Sequence, residues 1–488
     1  MKRTNYLYIG LVLLSGCLER QPISEIGEGS FYKTQEHIES AVVACYNGMQ
    51  APLEYEWRFT ETRSDNSRYY TYATNTTENA TIIHYDLSTI ETTDDNIYKY
   101  WLANYHNIAR CNTVLEHLDV VADADLHSQY EGEARFIRGY HYFNLVRLFG
   151  PVVLVTERIS AAEAQGHGRS SIEKVYGQIE EDFTKAAELL PDAYAPEMAG
   201  RATSWAAKGM LAKMRITRGL YDETTEALLE DIKDHSGAEL QDSYELVFAI
   251  DNEMNSEILF AVRYTGGGLG LGSPFGNYFA PNNSGAAVVN GSGRGFNYPT
   301  IDLVSAYSSG DLRRDVCLRT FYTKEDGTIV SGKGAAYACK YTSPVVLKND
   351  GDKDWPVLRF ADILLLYAEV ENELKGAEAA LPYINKTRHR AGLEDLTTAD
   401  VPNRQAMRMA IEKERRLEFA FENQRWFDLV RTNRVVEVMN AHWSSSGSDY
   451  DEFYSNLHTI TLTKEQLLLP VPQKERDINP NLTQNVGY

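Results

Sequence analysis

The sequence predicts a mainly α-helical protein, built from paired helices and interrupted by one loop-rich insertion with minor β-structure. Three observations carry that prediction. Apolar residues recur at i, i+3, i+4 and i+7 in one segment after another. The helix pairs return at intervals of about 34–45 residues, the spacing of TPR-like units, in which each pair needs its neighbour to bury its apolar face. Residues 240–356 abandon this rhythm for Gly, Asn, Ser and Tyr.

The N-terminus comes first. Lys2 and Arg3 precede an apolar run from Tyr6 to Leu14, and Leu14-Ser15-Gly16-Cys17 follows. That run is about half of the roughly 20 residues a spanning helix needs, so it reads as the core of a signal peptide. Small residues directly before a cysteine match the bacterial lipoprotein signal, which makes Cys17 the expected lipidation site and residues 1–16 the removed leader. The polar stretch 17–30 then reads as a tether. Acyl chains contribute about 0.8 kcal/mol per buried CH₂, enough for several of them to hold the protein on a bilayer.

Residues 31–239 form the expected N-terminal helical part. Trp101, Tyr105 and Ile108 share one helix face; Ala134, Ile137, His141, Leu145 and Leu148 share the next. Phe136, Tyr140 and Phe143 occupy a second face of that helix, which predicts burial on two sides. Ser170-Ser171-Ile172-Glu173 has the form of a capping box before Val175, Ile179, Phe183 and Ala186, and Pro191 stops that helix. Ala207, Met210, Leu211 and Met214 mark its partner. Within this part, 55–93 is crowded with Tyr, Thr and Asn and reads as a loop-rich stretch.

The insertion, 240–356, holds the glycine run Gly266 to Gly272, then Pro274, Pro281 and Gly291 to Gly295. Strand-like runs, 257–263 and 316–322, border its loops. Long loops in a compact protein are often functional. The C-terminal helical part, 357–488, opens with Leu364, Tyr367, Ala368 and Leu374. Its next helix runs through Ile384 and Arg388, and another begins with Met407, Ile411, Leu417 and Phe421. Glu412–Arg416, Arg415–Glu418, Glu422–Arg425 and Asp428–Arg431 have the spacing of helix-surface ion pairs, each worth about 0.2–0.5 kcal/mol.

Composition and motifs exclude several functions. The 488 residues carry a net charge of −21, which repels nucleic acid and anionic membranes. Removal of the leader takes two positive charges away. Gly327 to Lys333 has a P-loop frame, but Gly334 stands where Ser or Thr would hold magnesium. GxSxG, HExxH and GxGxxG are absent, and the 11 histidines show no ligand spacing, so no catalytic residue, cofactor or metal site is predicted. Asp350, Asp352 and Asp354 alternate as in a calcium loop, yet Trp355 replaces the turn glycine and Ala361 the bidentate glutamate, so a solvated turn is the better reading. Cys317 and Cys339 fit either a disulfide or two buried thiols.

Four blocks resemble a known family: Glu133-Ala134-Arg135-Phe136-Ile137-Arg138-Gly139-Tyr140 with Phe149-Gly150; Val175-Tyr176 with Asp182 and Leu189-Leu190-Pro191; Ala361 to Glu369 with Asn385 and Arg388-His389-Arg390-Ala391-Gly392; and Glu414 to Phe419 with Gln424 to Leu429. Leu469-Pro470-Val471-Pro472-Gln473 and Asn479 to Tyr488 add the C-terminus. In this order they resemble the SusD/RagB family of outer-membrane nutrient-binding lipoproteins of Bacteroidetes. The resemblance implies a scaffold of four TPR-like helix pairs, seated over a TonB-dependent SusC-like transporter. It also implies capture of oligosaccharides, or in the RagB branch peptides, at the cell surface.

Family members diverge in the loops at 55–93 and 264–300, so the ligand site is expected there. A sugar offers an apolar C–H face and a belt of hydroxyls, and its recognition calls for aromatic faces edged by planar polar groups. The first loop supplies Trp57 and Tyr70 with Asp65, Asn66 and Arg68; the second supplies Tyr278, Phe296 and Tyr298. The competing reading of each ring is that it pins its loop to the scaffold.

Overall fold

The computed structural model describes residues 31–69, 81–332, 334–444 and 460–488. Cys17 and Tyr70, with the leader and the tether, lie outside them.

Helices α1 (Gln35–Gly48) and α2 (Gln50–Thr60) meet at Met49, and both pack on α3 (Asp95–Glu116). Asp94 starts α3 by accepting the N–H groups of Asn96 and Ile97, which would otherwise lack partners. Helix α4 (Ala124–Phe149) lies between α3 and α5 (Ile172–Leu189) and is buried around most of its circumference, as its two apolar faces require. Gly139 allows the close approach, because a Cβ there would stand 3.1 Å from the Phe183 ring. The box at Ser170 does not form. Helix α5 begins one residue later, with Ser171 as the cap accepting from the N–H of Lys174, so Glu173 falls one position short of the reciprocal contact.

The stack continues through α6 (Ser204–Thr217) and α7 (Glu223–His235). Helix α7 escapes a reading by periodicity because it buries only Thr225, Leu229 and Ile232. Beyond the insertion, which carries the short helix α8 (Phe275–Phe279), α9 (Phe360–Leu374) packs on α7, α10 (Ala377–Arg390) and α11 (Arg404–Glu418). The chain ends with α12 (Arg425–Arg431), α13 (Val435–Ser444) and α14 (Gln473–Ile478). The protein is therefore mainly α-helical, with minor β-structure, as its periodicity predicts.

The strands are short: β1 (Ser67–Arg68), β2 (Ile258–Val262), β3 (Tyr298–Pro299), β4 (Leu318–Arg319), β5 (Phe321–Thr323), β6 (Ile329–Ser331), β7 (Tyr337–Ala338) and β8 (Trp355–Arg359). They form antiparallel pairs β1–β3, β2–β8, β4–β7 and β5–β6. Two pairs position the insertion. The β2–β8 ladder, from Ile258 opposite Arg359 to Val262 opposite Trp355, closes its two ends on each other. The β1–β3 pair joins the first candidate loop to the second, with Arg68 opposite Tyr298.

Burial changes the meaning of the charged helix α11. Of the four expected surface pairs only Asp428–Arg431 forms, at 2.8 Å. Glu418 instead meets Arg359 at 3.0 Å and Arg313 at 3.3 Å, and also contacts Arg390. Glu257 bridges Arg359 and Arg390, both at 2.6 Å, and Lys340 meets Glu422 at 2.7 Å. Helix spacing nominates partners on one surface, but α11 faces the base of the insertion, where the partners come from other elements. Removing one partner of a buried pair costs about 3–5 kcal/mol, because it strands the other charge.

The alternating aspartates also find a role. Asp350 accepts from the N–H groups of Gly267 (2.8 Å) and Gly268 (2.7 Å), Asp352 from Gly266 and Asp354 from Tyr264, both at 2.8 Å. They staple the glycine run in place. All four cysteines of the described residues are free thiols. Cys339 donates its backbone N–H to Cys317 at 2.9 Å, while its Sγ donates to the Val316 carbonyl at 3.2 Å.

Candidate functional site

Helix α2 and the insertion build one aromatic cluster. Pro52, in the first turn of α2, needs no helical partner for its nitrogen, so the helix runs through Trp57 to Thr60 where the sequence reads as loop. Trp57 is fully buried, stacked on Phe296 with centroids 5.3 Å apart and met edge-on by Phe279 at 5.7 Å. Its Nε1–H donates to the Glu54 carbonyl at 3.0 Å. Tyr278 meets Phe296 edge-on at 5.8 Å and donates its hydroxyl to Glu54 Oε1 at 2.5 Å. Burial first, and then the Glu54 carboxylate, raise the Tyr278 pKa, so its hydroxyl stays protonated and donating.

Two guanidinium groups cover these rings. Arg294 lies over Tyr278, 4.8 Å from its centroid. Arg58 lies over Trp57 at 4.3 Å and donates Nη1–H to the Glu54 carbonyl at 2.7 Å. The backbone beside Arg294 is fixed too: a Cβ at Gly293 would fall 2.2 Å from the Ala280 carbonyl oxygen, so only glycine lets Arg294 enter this way. Asn277 holds the same turn by donating to the carbonyls of Asn290 and Ser292, at 2.8 and 3.0 Å. Water reaches the cluster at Glu54, Tyr55 and Arg294, which are half-buried.

The planar polar residues expected to bind hydroxyls are already engaged. Asp65 is buried and takes both ends of the Arg425 fork, at 2.7 and 2.9 Å, with Arg416 at 3.1 Å. Burial raises its pKa, but Arg416 and Arg425 outweigh that and hold the carboxyl well below the usual range. Asn66 is fully buried. It donates to Glu61 Oε2 at 3.3 Å, and its Oδ1 accepts from Arg416 at 2.9 Å. Arg68 is buried with its Cζ 5.4 Å from the Tyr298 centroid, and Tyr298 is 7% exposed.

The expectation of exposed faces is therefore corrected at Trp57, Asp65, Asn66, Arg68, Tyr278, Phe296 and Tyr298, all of which are buried. Ion pairing and ring packing draw these residues inward. Trp57, Phe296 and Tyr278 come together; Arg68 and Tyr298 form a second contact on the β1–β3 pair. Glu54, Tyr55 and Arg58 were not anticipated. Pro52 in the first turn, with Leu53 and Trp57 at i, i+4, carried the signal that this segment is helical and brings them to the cluster.

A helical scaffold of stacked pairs, with an aromatic cluster where its insertion meets α2, defines the class. Two family models match the chain: "Starch-binding associating with outer membrane" over residues 18–217 and "SusD family" over 325–488. The chain belongs to the SusD family. It is 25% identical to SusD-like protein P2 of Formosa agariphila, covering all of both chains. It is 24% identical to a SusD-like protein of Bacteroides ovatus, over 96% of this chain and 94% of that one. Among solved structures, a laminarin-binding SusD-like protein superposes with a TM-score of 0.77 at 25% identity, over 94% of this chain and all of that one. A SusD-like protein of Bacteroides fragilis shares the fold with a TM-score of 0.78 at 23% identity, over 96% and 100%. Among the described residues, no helix is long and apolar enough to cross a membrane.

Proposed function

We propose that this chain is a surface lipoprotein that captures oligosaccharides at the outer membrane and delivers them to a SusC-like TonB-dependent transporter. Membership in the SusD family and likeness to a laminarin-binding relative support the ligand class. Cys17 is the lipid anchor in this reading. The observation that carries the site is the aromatic cluster under Glu54, Tyr55 and Arg294, where a ring face and planar polar groups meet water together. Tyr55 supplies ring surface and Glu54 and Arg294 the planar polar groups, Tyr278, Trp57 and Phe296 form the floor, and Arg68 and Tyr298 support it from the β1–β3 pair. Tyr70, nominated from the sequence, lies outside the described residues.

The test is calorimetric titration with oligosaccharides chosen from a glycan array. Arg294→Ala should weaken binding about tenfold, the worth of one or two charge-assisted hydrogen bonds, with little change in melting temperature. Unchanged or tighter binding would mean that the guanidinium only occupies the ring face and that the site lies elsewhere. The same reaction mixtures should show no new reducing ends, since no acid–base pair is assigned a role.

A further inference from the structure

A second cavity, of about 500 Å³, lies between α3, the segment 153–165 and α14. It shares no residue with the cluster at α2. Its walls are apolar, formed by Trp101, Leu102, Tyr105, Val155, Ile478 and Leu482. That volume falls within the range of small-molecule sites, about 300–1,000 Å³, and such sites combine apolar walls with a few placed polar groups.

One group here is out of keeping with the rest of the protein. Buried carboxylates elsewhere are held by cations or by hydrogen-bond donors: Asp182 by Arg138 at 2.6 Å, Glu133 by Arg201 at 3.2 Å, Asp362 by Lys213 and Arg415 at 2.7 Å, and Glu61 by the Asn423 N–H at 2.8 Å and Asn66 at 3.3 Å. Glu475, on α14, lines the cavity half-buried, and among the described residues its carboxylate has no cation within 4 Å and no hydrogen-bond donor. Burial raises its pKa. The bases nearby are committed elsewhere, and Arg158, which lines the cavity, is itself engaged. Lys474 reaches Asp95 at 3.0 Å, and Arg476 donates to the Leu482 carbonyl at 3.1 Å and to Gln473 at 3.2 Å. An acid in an apolar wall is costly unless something pairs with it.

We infer that this cavity is a ligand site for a small molecule with an aromatic or branched apolar body and a protonated amine that reaches Glu475. The apolar walls take the body and exclude a ligand clothed in hydroxyls, and Glu475, with Glu157 also on the lining, selects the cation.

The experiment uses the soluble mature chain and three probes of one shape: 2-phenylethylamine, 2-phenylethanol and phenylacetate, followed by ligand-observed NMR. The amine should bind saturably below about 10 mM and about tenfold more tightly than the alcohol, with the acid weakest. Glu475→Gln should abolish the preference for the amine while the alcohol still binds. Ala109→Trp, at the cavity rim, should displace all three probes and leave oligosaccharide affinity unchanged. Absence of saturable amine binding, or a preference that survives Glu475→Gln, would overturn the assignment. Because oligosaccharide binding is read separately in the same variants, failure here leaves the proposed function standing, and the reverse also holds.

Discussion

Replacing Trp57 by alanine separates a floor from a platform. The indole is fully buried and its loss removes the stack on Phe296, the edge contact from Phe279, the hydrogen bond to the Glu54 carbonyl and the surface under Arg58. Large-to-small changes of this kind cost about 3–5 kcal/mol. Unfolding entropy of about 2.1 cal/mol/K per residue gives roughly 1 kcal/mol per kelvin for a cooperative unit of this size. The melting temperature should therefore fall by about 3–5 °C, more if the insertion melts as a smaller unit. Tyr278→Phe removes only the hydroxyl bond to Glu54 and should shift melting by about 1–3 °C. Differential scanning calorimetry measures both, with oligosaccharide affinity measured in parallel. A Trp57→Ala chain that melts like the wild type but has lost its affinity would refute the burial argument and return the ring to the ligand.

Other variants probe the charges. Asp65→Ala leaves Arg425 buried without its carboxylate and should cost about 3–5 kcal/mol, read as a lower urea midpoint; a surface-like change under about 0.5 kcal/mol would contradict that pairing. Glu418 has its carboxyl held at about 2, where Arg390, Arg359 and Arg313 outweigh the upward push of burial. Its contribution is complete above pH 4.5 and lost as pH falls toward 2, so Glu418→Gln should flatten that part of the melting profile. Glu61 runs the other way. Burial lifts its pKa from 4.5 to about 7, so its contribution is present below pH 4.5 and lost as pH rises through 7, and Glu61→Gln should narrow the fall in melting temperature over that interval. Cys17→Ala should release the protein from the membrane fraction; full retention after a salt wash, which strips electrostatic contacts, would defeat the lipid anchor.

What the sequence made legible follows from where its signals are strong. Helices α3 to α6 and α9 announce themselves because each buries a wide apolar stripe, and the stripe is the physical cause of the fold. Helix α7 has a thin stripe and stays silent. Helix α2 is masked by the aromatics of the loop that follows it, although Pro52 marks its first turn. At the candidate site the burial of the nominated residues was not legible. An aspartate that would hold a sugar hydroxyl and one that holds a buried arginine have the same letter, and Asp65 is distinguished only by Arg425, 360 positions away.

That long-range pairing explains how an acidic chain with irregular loops presents an ordered site. Loops rich in glycine and asparagine carry a large conformational entropy, and a ligand that had to order them would bind weakly. Here the ordering is supplied beforehand. Asp350 and Asp352 fix the glycine run, the Glu257–Arg359–Glu418 cluster locks the β2–β8 base, and Asp65 with Arg425 and Arg416 ties the turn after α2 to the C-terminal helices. Such buried pairs add little to net stability compared with apolar packing, but they accept only one geometry. Their effect is to hold Tyr278 and Arg294 of the insertion in register with Glu54 on α2. In the proposed reading, the residues nominated from the sequence fix the frame, and the half-buried Glu54, Tyr55 and Arg294 meet the ligand.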